Sequence, residues 1–169
     1  MDEQRKAADR MSAPGHLTAE AGGDRGAMLA DQVNRMIALA EEARAEETWA
    51  FDALSRFVAG CAGLGLDPLA AVGVAEAPGA ARDRLMKVLE DVVRAGHDEG
   101  ALRGDVGAGD VVGVVGLLVR GLPTVPAGLG EELRERAVRL VLAGMRAHPA
   151  PVPPGAALTA GDLARRVSG

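Results

Sequence analysis

The stretch at residues 110–122, DVVGVVGLLVRGL, constrains the fold of this chain more than any other. Nine consecutive valines, leucines and glycines stand between an aspartate and an arginine. A strand here would need hydrogen-bonded neighbours, and the other valine-rich run, around Val72 and Val74, offers only a marginal two-stranded pair. A membrane span needs roughly 18 apolar residues, so the stretch is too short for one. We therefore predict a helix.

The glycines lower the stability of this helix, because Gly113 and Gly116 each cost roughly 1 kcal/mol relative to alanine. Helical spacing gives it a smooth flank at Gly109, Gly113 and Gly116 and a branched flank at Val112, Val115, Val119 and Leu122. A helix that is apolar all round belongs in a core, and the chain has few helices with which to surround it. We expect it to contact a second subunit, the alternative being a core helix enclosed by its own chain.

Apolar residues recur at helical spacing through the rest of residues 27–148, which predicts one all-α domain. A first helix is predicted over about 28–45 and a second after Thr48, a plausible N-cap residue. A third helix is predicted over about 80–99, with Gly100 in the C′ position, and a last one over about 131–147. Between the second and third helices, prolines and glycines leave room for at most one short helix.

The two ends of the chain differ from this domain in composition. Residues 1–26 show no helical or strand period and are rich in glycine, so we expect an arm without regular structure. Residues 149–169 begin with the proline-rich PAPVPPGAA, after which Thr159 and Asp162 fit a capping box before Leu163 and Val167. That pattern predicts a short helix in the tail.

Composition also excludes several function classes. The net charge of −5 and pI near 5.2 argue against binding of nucleic acid or anionic lipid by this chain alone. Cys61 is the only cysteine, so an intrachain disulfide is impossible and a reducing cytoplasm is the expected compartment. No secretory h-region is found in residues 1–26, and no membrane span in the sequence.

Signatures of catalysis or of metal binding are missing from the sequence. His16, His97 and His148 lie far apart, without cysteines or histidines at ligand spacing, so neither a metal nor a cofactor is expected. The sequence contains no GxSxG or HExxH motif, and its glycine-rich GAGDVVGVVG lacks the lysine of a phosphate-binding loop. We do not expect an enzyme.

The order of elements resembles the C-terminal regulatory domain of TetR-family transcriptional regulators over about residues 25–148. The resemblance is carried by DRGAMLADQVNRMIALAEEA, TWAFDALSRFVAG, RDRLMKVLEDVVRAGHDEGALRGDVGAGDVVGVVGLLVRGL and EELRERAVRLVLAGMRAH, above all by the run from Ala95 to Val112. It implies a domain that binds a small, usually apolar molecule among its central helices. It also implies a homodimer in which the last two long helices of each subunit form a four-helix interface.

Two sets of candidate residues follow. Those expected at the dimer interface are Val112, Gly113, Val115, Gly116, Val119, Leu133, Ala137, Leu140, Val141 and Gly144. Those that could line a ligand cavity, or simply fill the core, are Trp49, Phe51, Leu54, Phe57, Cys61, Met86, Leu89, Val93 and His97.

The chain departs from the family pattern before its first helix. TetR-like regulators begin with a helix-turn-helix domain that reads operator DNA, and the glycine-containing residues 1–26 do not match one. We therefore expect DNA contact only through a missing N-terminal reader or through a partner. The alternative function is an interaction module that forms heterodimers with a full-length repressor and needs no ligand.

Overall fold

The computed structural model describes residues 15–73, 79–121 and 127–148, and over these ranges it confirms an all-α fold. The side chains of residues 15–25, 71–73 and 127 are outside the description. Six helices are present in the described ranges: α1 (Gly15–Glu46), α2 (Ala50–Leu64), α3 (Pro68–Gly73), α4 (Gly79–Asp98), α5 (Ala108–Arg120) and α6 (Ala127–Met145). None of these helices combines the length and apolar character that a membrane crossing requires.

The core forms where α1, α2 and α4 pack against one another, and α5 and α6 complete it by packing against α2. The short α3 lies against α5 and α1. Large side chains fill this core with almost no exposed surface: Val33, Met36, Leu54, Phe57, Val58, Leu85, Leu89, Val111 and Val115. Helical spacing of these apolar residues explains why each helix turns one face inward.

The first helix begins much earlier than its periodicity predicts. It starts at Gly15, inside the segment expected to lack regular structure, rather than near residue 28. Among the described side chains of α1, the first buried one is Val33. Once a helix has nucleated, each further residue adds a hydrogen bond without a new nucleation cost, so a helix can continue beyond the segment in which the periodic pattern is visible. Residues 1–14 lie outside the described residues, as does the helix predicted in the tail.

The start of α2 corrects a second expectation. Its N-cap residue is Trp49 rather than Thr48, and no side chain of the cap residue bonds to the helix. Instead the Ala50 N–H donates to both carboxylate oxygens of Glu99, at 3.0 and 2.9 Å. A carboxylate from another part of the chain thus satisfies a free amide at the positive end of α2.

The α4–α5 connection begins as the sequence predicts. Gly100 has φ +66° and ends α4, where the Ala101 and Leu102 amides both donate to the Gly96 carbonyl at 3.0 Å. A single glycine accepts this left-handed backbone at little cost. The connection is held further by a hydrogen bond of 3.0 Å between His97 Nε2 and the Val106 carbonyl.

The same connection holds the end of α6 through an isolated antiparallel bridge between Leu102 and Arg146. The Arg103 N–H donates to the Met145 carbonyl and the Ala147 N–H to the Ala101 carbonyl, both at 3.0 Å. Beside the bridge, the Arg146 guanidinium lies 4.0 Å from the centre of the Phe51 ring. The C-terminal end of α6 is therefore fixed to both α2 and the α4–α5 connection. We refer to this pair of backbone hydrogen bonds as the 102–146 bridge.

Candidate functional site

Most residues predicted to line a ligand cavity are packed in the core. Six of them are at most 5% exposed: Phe51, Leu54, Phe57, Cys61, Leu89 and Val93. Met86 is partly buried against the core, and His97 is half-buried with its Nε2 bonded to Val106. Trp49 is 60% exposed and belongs to neither a core nor an enclosed cavity. The geometry agrees with the core-filling alternative for the buried six.

Cys61 is a buried thiol without surface exposure. Burial disfavours the charged thiolate and raises the pKa of Cys61 to about 12. The thiol is therefore protonated at neutral pH, and its contribution is that of a small apolar side chain.

A cleft of about 320 Å³ lies instead between α2 and α6. Its floor is made of the buried Ala62 and Val138, Ala59 and Gly63 lie exposed on its α2 side, and its rim carries the charged Glu131, Arg134, Glu135 and Arg139. Its size is at the lower end of the range typical for small-ligand pockets. Sequence reasoning missed it, because alanines and a glycine on α2 carry no chemical signal and their partners are about 70 residues away in the chain.

The four charges on the rim of this cleft are not equivalent. Arg134 donates from Nε to the Leu118 carbonyl at 3.2 Å and so links α6 to α5. The Nη1 atom of Arg139 lies 3.9 Å from Oε2 of Glu135 in a loose, exposed ion pair. Glu131 forms no ion pair with any described residue. The cleft therefore offers an apolar floor bordered by both signs of charge, with one carboxylate available.

The inner face of α5 corrects part of the predicted dimer interface. Val112, Val115 and Gly116 are all buried against their own chain. A Cβ atom added at Gly116 would collide with Leu69 Cβ and lie 3.0 Å from Asp67 Oδ1. The close backbone approach predicted for the glycine flank therefore occurs at Gly116, but with α3 of the same chain. Val119 is half-buried.

The opposite face of α5 is apolar and open. Leu117 is 70% exposed, Val114 is half-buried, and nothing lies within 4 Å of a Cβ atom added at Gly113. These three residues share one side of the helix, since they lie at helical spacing. The side of α5 that is open to a partner therefore differs from the side predicted at the interface. Only Gly113 belongs to both sets of residues.

On α6, two of the residues predicted at the interface are exposed. Leu140 is 51% exposed, Gly144 is exposed, and the remaining three are half-buried: Leu133, Ala137 and Val141. Because α5 and α6 contact each other, their open faces belong to neighbouring helices. We call the set Gly113, Val114, Leu117, Leu133, Ala137, Leu140, Val141 and Gly144 the α5–α6 surface.

Comparison with known proteins gives no further assignment: no family model matches the chain, and no curated protein matches it. Within the described ranges, no three histidine, cysteine, aspartate or glutamate side chains come together in a group that could hold a metal ion. The α5–α6 surface and the α2–α6 cleft are the two candidate sites.

Proposed function

We propose that this chain is the regulatory and dimerisation domain of a TetR-like transcriptional regulator, and that α5 and α6 pair with the same helices of a second copy. The observation that supports the proposal is the α5–α6 surface, in which Leu117, Leu140 and Gly144 on two neighbouring helices are exposed and the other residues are half-buried. Exposed apolar patches on a small domain mark interaction sites. A twofold interface uses the same patch on both subunits.

Burial of the two exposed leucines of each subunit would contribute to the stability of such an assembly. Leu117 and Leu140 are 70% and 51% exposed, and a twofold interface covers each of them twice. Complete burial of one leucine contributes about 1.5–3 kcal/mol, so four leucines with these exposures contribute about 4–7 kcal/mol. This offsets a large share of the roughly 4–15 kcal/mol that association costs, and the half-buried residues around them add to it.

The α2–α6 cleft is the site proposed for a small regulatory molecule. It shares α6 with the α5–α6 surface, so a ligand bound there would favour one position of α6 and thereby one geometry of the dimer. Operator DNA would be read by a helix-turn-helix domain attached to this domain or carried by a partner, with the dimer setting the spacing of the two readers. The proposal assigns no catalytic step to the chain and places it in the cytoplasm.

A second candidate is a protein interaction module that uses the same surface to form heterodimers with a full-length repressor. The packing of the core favours this second candidate, because six of the residues expected to line a ligand cavity are at most 5% exposed. In this function the α5–α6 surface acts alone and no ligand is needed.

The oligomeric state tests the shared part of both candidates. We expect the protein to sediment as a dimer at micromolar concentration, and Leu117→Asp and Leu140→Asp each to produce a folded monomer. Leu64→Asp is the matched control, because Leu64 is 59% exposed but lies outside the α5–α6 surface at the end of α2. A monomeric wild-type protein, or a dimer that both aspartates leave intact, would refute the interface.

Thermal stability separates the two candidates. A regulatory ligand must raise the melting temperature of the wild-type protein, and Ala59→Trp, which fills the cleft, must abolish the shift. If a panel of small apolar compounds produces no shift while mixed dimers form with a full-length TetR-like repressor, the interaction module is the correct function.

A further inference from the structure

The α2–α6 cleft has the properties of a groove for a short amphipathic segment. The residues that α2 contributes to it, Ala59, Ala62 and Gly63, have no bulky side chain, which allows another backbone to approach closely. Its rim carries both charge signs, and Glu131 forms no ion pair with the described residues. Grooves of this kind accept helical segments that place apolar residues on the floor and charges at the edge.

The chain itself carries a segment with the complementary pattern. Residues 158–168 read LTAGDLARRVS. Leu163 and Val167 are four positions apart and would share one face of a helix, and Arg166 would lie beside that face. The segment also contains Arg165 and Asp162, so it presents both charge signs as the cleft does. Arg166 provides a partner for Glu131 or for the loosely paired Glu135, whereas Arg165 would lie on the opposite side of the helix.

We propose that residues 158–168 dock in the α2–α6 cleft of their own chain, with Leu163 and Val167 against its small and apolar residues and Arg166 at the glutamates of α6. This contact is independent of the dimer proposed above, because the cleft and the α5–α6 surface have no residue in common. An external molecule that enters the cleft must then displace this segment.

The connecting residues are long enough for such a contact. The described chain continues to His148, just beyond the end of α6. The cleft residues on α6 lie 6 to 14 positions before Met145, which corresponds to about 9–21 Å along a helix. Ten residue steps separate His148 from Leu158, and a proline-rich segment spans about 3.1 Å per residue, or roughly 31 Å. Residues 149–157 can therefore turn back along α6 and reach the cleft.

Tethering makes a weak contact sufficient. A segment linked by a short connection has an effective concentration in the millimolar range, so an intrinsic dissociation constant of about 0.1 mM keeps the cleft about 90% occupied. The amides around the cleft would then exchange with solvent about tenfold more slowly than in a chain whose segment cannot dock, provided that exchange requires the free cleft.

Hydrogen–deuterium exchange of the full chain tests this proposal. The double variant L163D/V167D places charges on the docking face, and Val152→Asp is the control, because it introduces one of the same charges in the connecting residues. We expect exchange at residues 59–63 and 131–139 to accelerate about tenfold in the double variant and to stay unchanged in the control. A synthetic peptide of residues 158–169 must restore the protection, and Ala59→Trp in the double variant must prevent that.

Three results would overturn the proposal: unchanged exchange at the cleft in the double variant, acceleration at the α5–α6 surface instead, or protection that disappears on dilution. The last would mean that the segment serves another copy of the chain. All measurements are repeated in chains that also carry Leu117→Asp, so that a failure of the dimer proposal is distinguished from a failure of this one. The circular dichroism of each variant must match the wild type.

Discussion

Two glycines three positions apart on α5 provide a test of which flank of this helix is enclosed by its own chain. Gly116 lies against α3, where an added Cβ atom would collide with Leu69 Cβ. Gly113 has nothing within 4 Å of an added Cβ atom. The substitutions Gly116→Ala and Gly113→Ala therefore make the same chemical change in the same helix and meet different surroundings.

The expected magnitudes follow from two terms. Replacing glycine by alanine within a helix stabilises it by about 1 kcal/mol, and this term applies at both positions. At Gly116 the new methyl group must also displace α3, and overpacking of this kind costs about 1–3 kcal/mol. Leu69 Cβ is bonded directly to the backbone of α3 and cannot rotate away as the end of a long side chain can. Gly113→Ala should thus raise the free energy of unfolding by about 1 kcal/mol, while Gly116→Ala leaves it unchanged or lowers it by up to about 2 kcal/mol.

Urea denaturation followed by circular dichroism measures both effects, with the difference between the two variants as the decisive quantity. Because the helix-propensity term cancels, that difference should equal the overpacking cost of about 1–3 kcal/mol. Both substitutions are made in the Leu117→Asp chain, which removes the contribution of a second copy at Gly113. Equal stabilities of the two variants would refute the assignment of Gly116 to an internal contact and of Gly113 to the open side.

Three further predictions concern other parts of the fold. Cys61 should resist iodoacetamide at pH 8 in the folded protein and react in urea, because burial raises its pKa to about 12; fast labelling of the native protein would contradict the burial. Glu99→Ala should lower the free energy of unfolding by about 1 kcal/mol through loss of the bonds to the first amide of α2, an effect that alanine at the preceding aspartate should not reproduce. Hydrogen bonds from Lys87 and Arg94 lower the pKa of Asp91 below its ordinary value of 3.8. The ionised carboxylate therefore stabilises the fold above pH 3.8, and this contribution is lost as the pH falls through the lowered pKa. A pKa of 3.8 or higher for Asp91, measured by NMR titration, would contradict this.

The sequence was a good guide wherever a helix has one clear apolar face and a distinct terminal residue. The third predicted helix, α4, ends two residues before Gly100, whose φ of +66° explains the glycine in physical terms. Residues 110–120 form a helix as predicted, since neither a strand pair nor a membrane span was available to so short an apolar stretch. One short helix, α3, lies between α2 and α4.

The sequence does not reveal which side of α5 faces the core, because a helix that is apolar on all sides gives no periodic signal for its inner face. Val112, Val115 and Gly116 were placed at the interface for that reason, whereas the exposed side is marked by Leu117. The N-cap of α2 was misassigned for a different reason. Its amide is satisfied by Glu99, which is 49 residues away, and no local pattern reveals such a partner. The α2–α6 cleft likewise depends on how two distant helices pack.

The 102–146 bridge has a consequence for how the molecule opens. It joins the two ends of a chain segment that contains both α5 and α6, so neither helix can leave the rest of the domain by fraying from its free end alone. The Arg103 and Ala147 amides form its two hydrogen bonds and should therefore report the same sub-global unfolding event. We therefore expect the two helices to be released or retained together in this event, as one foldon.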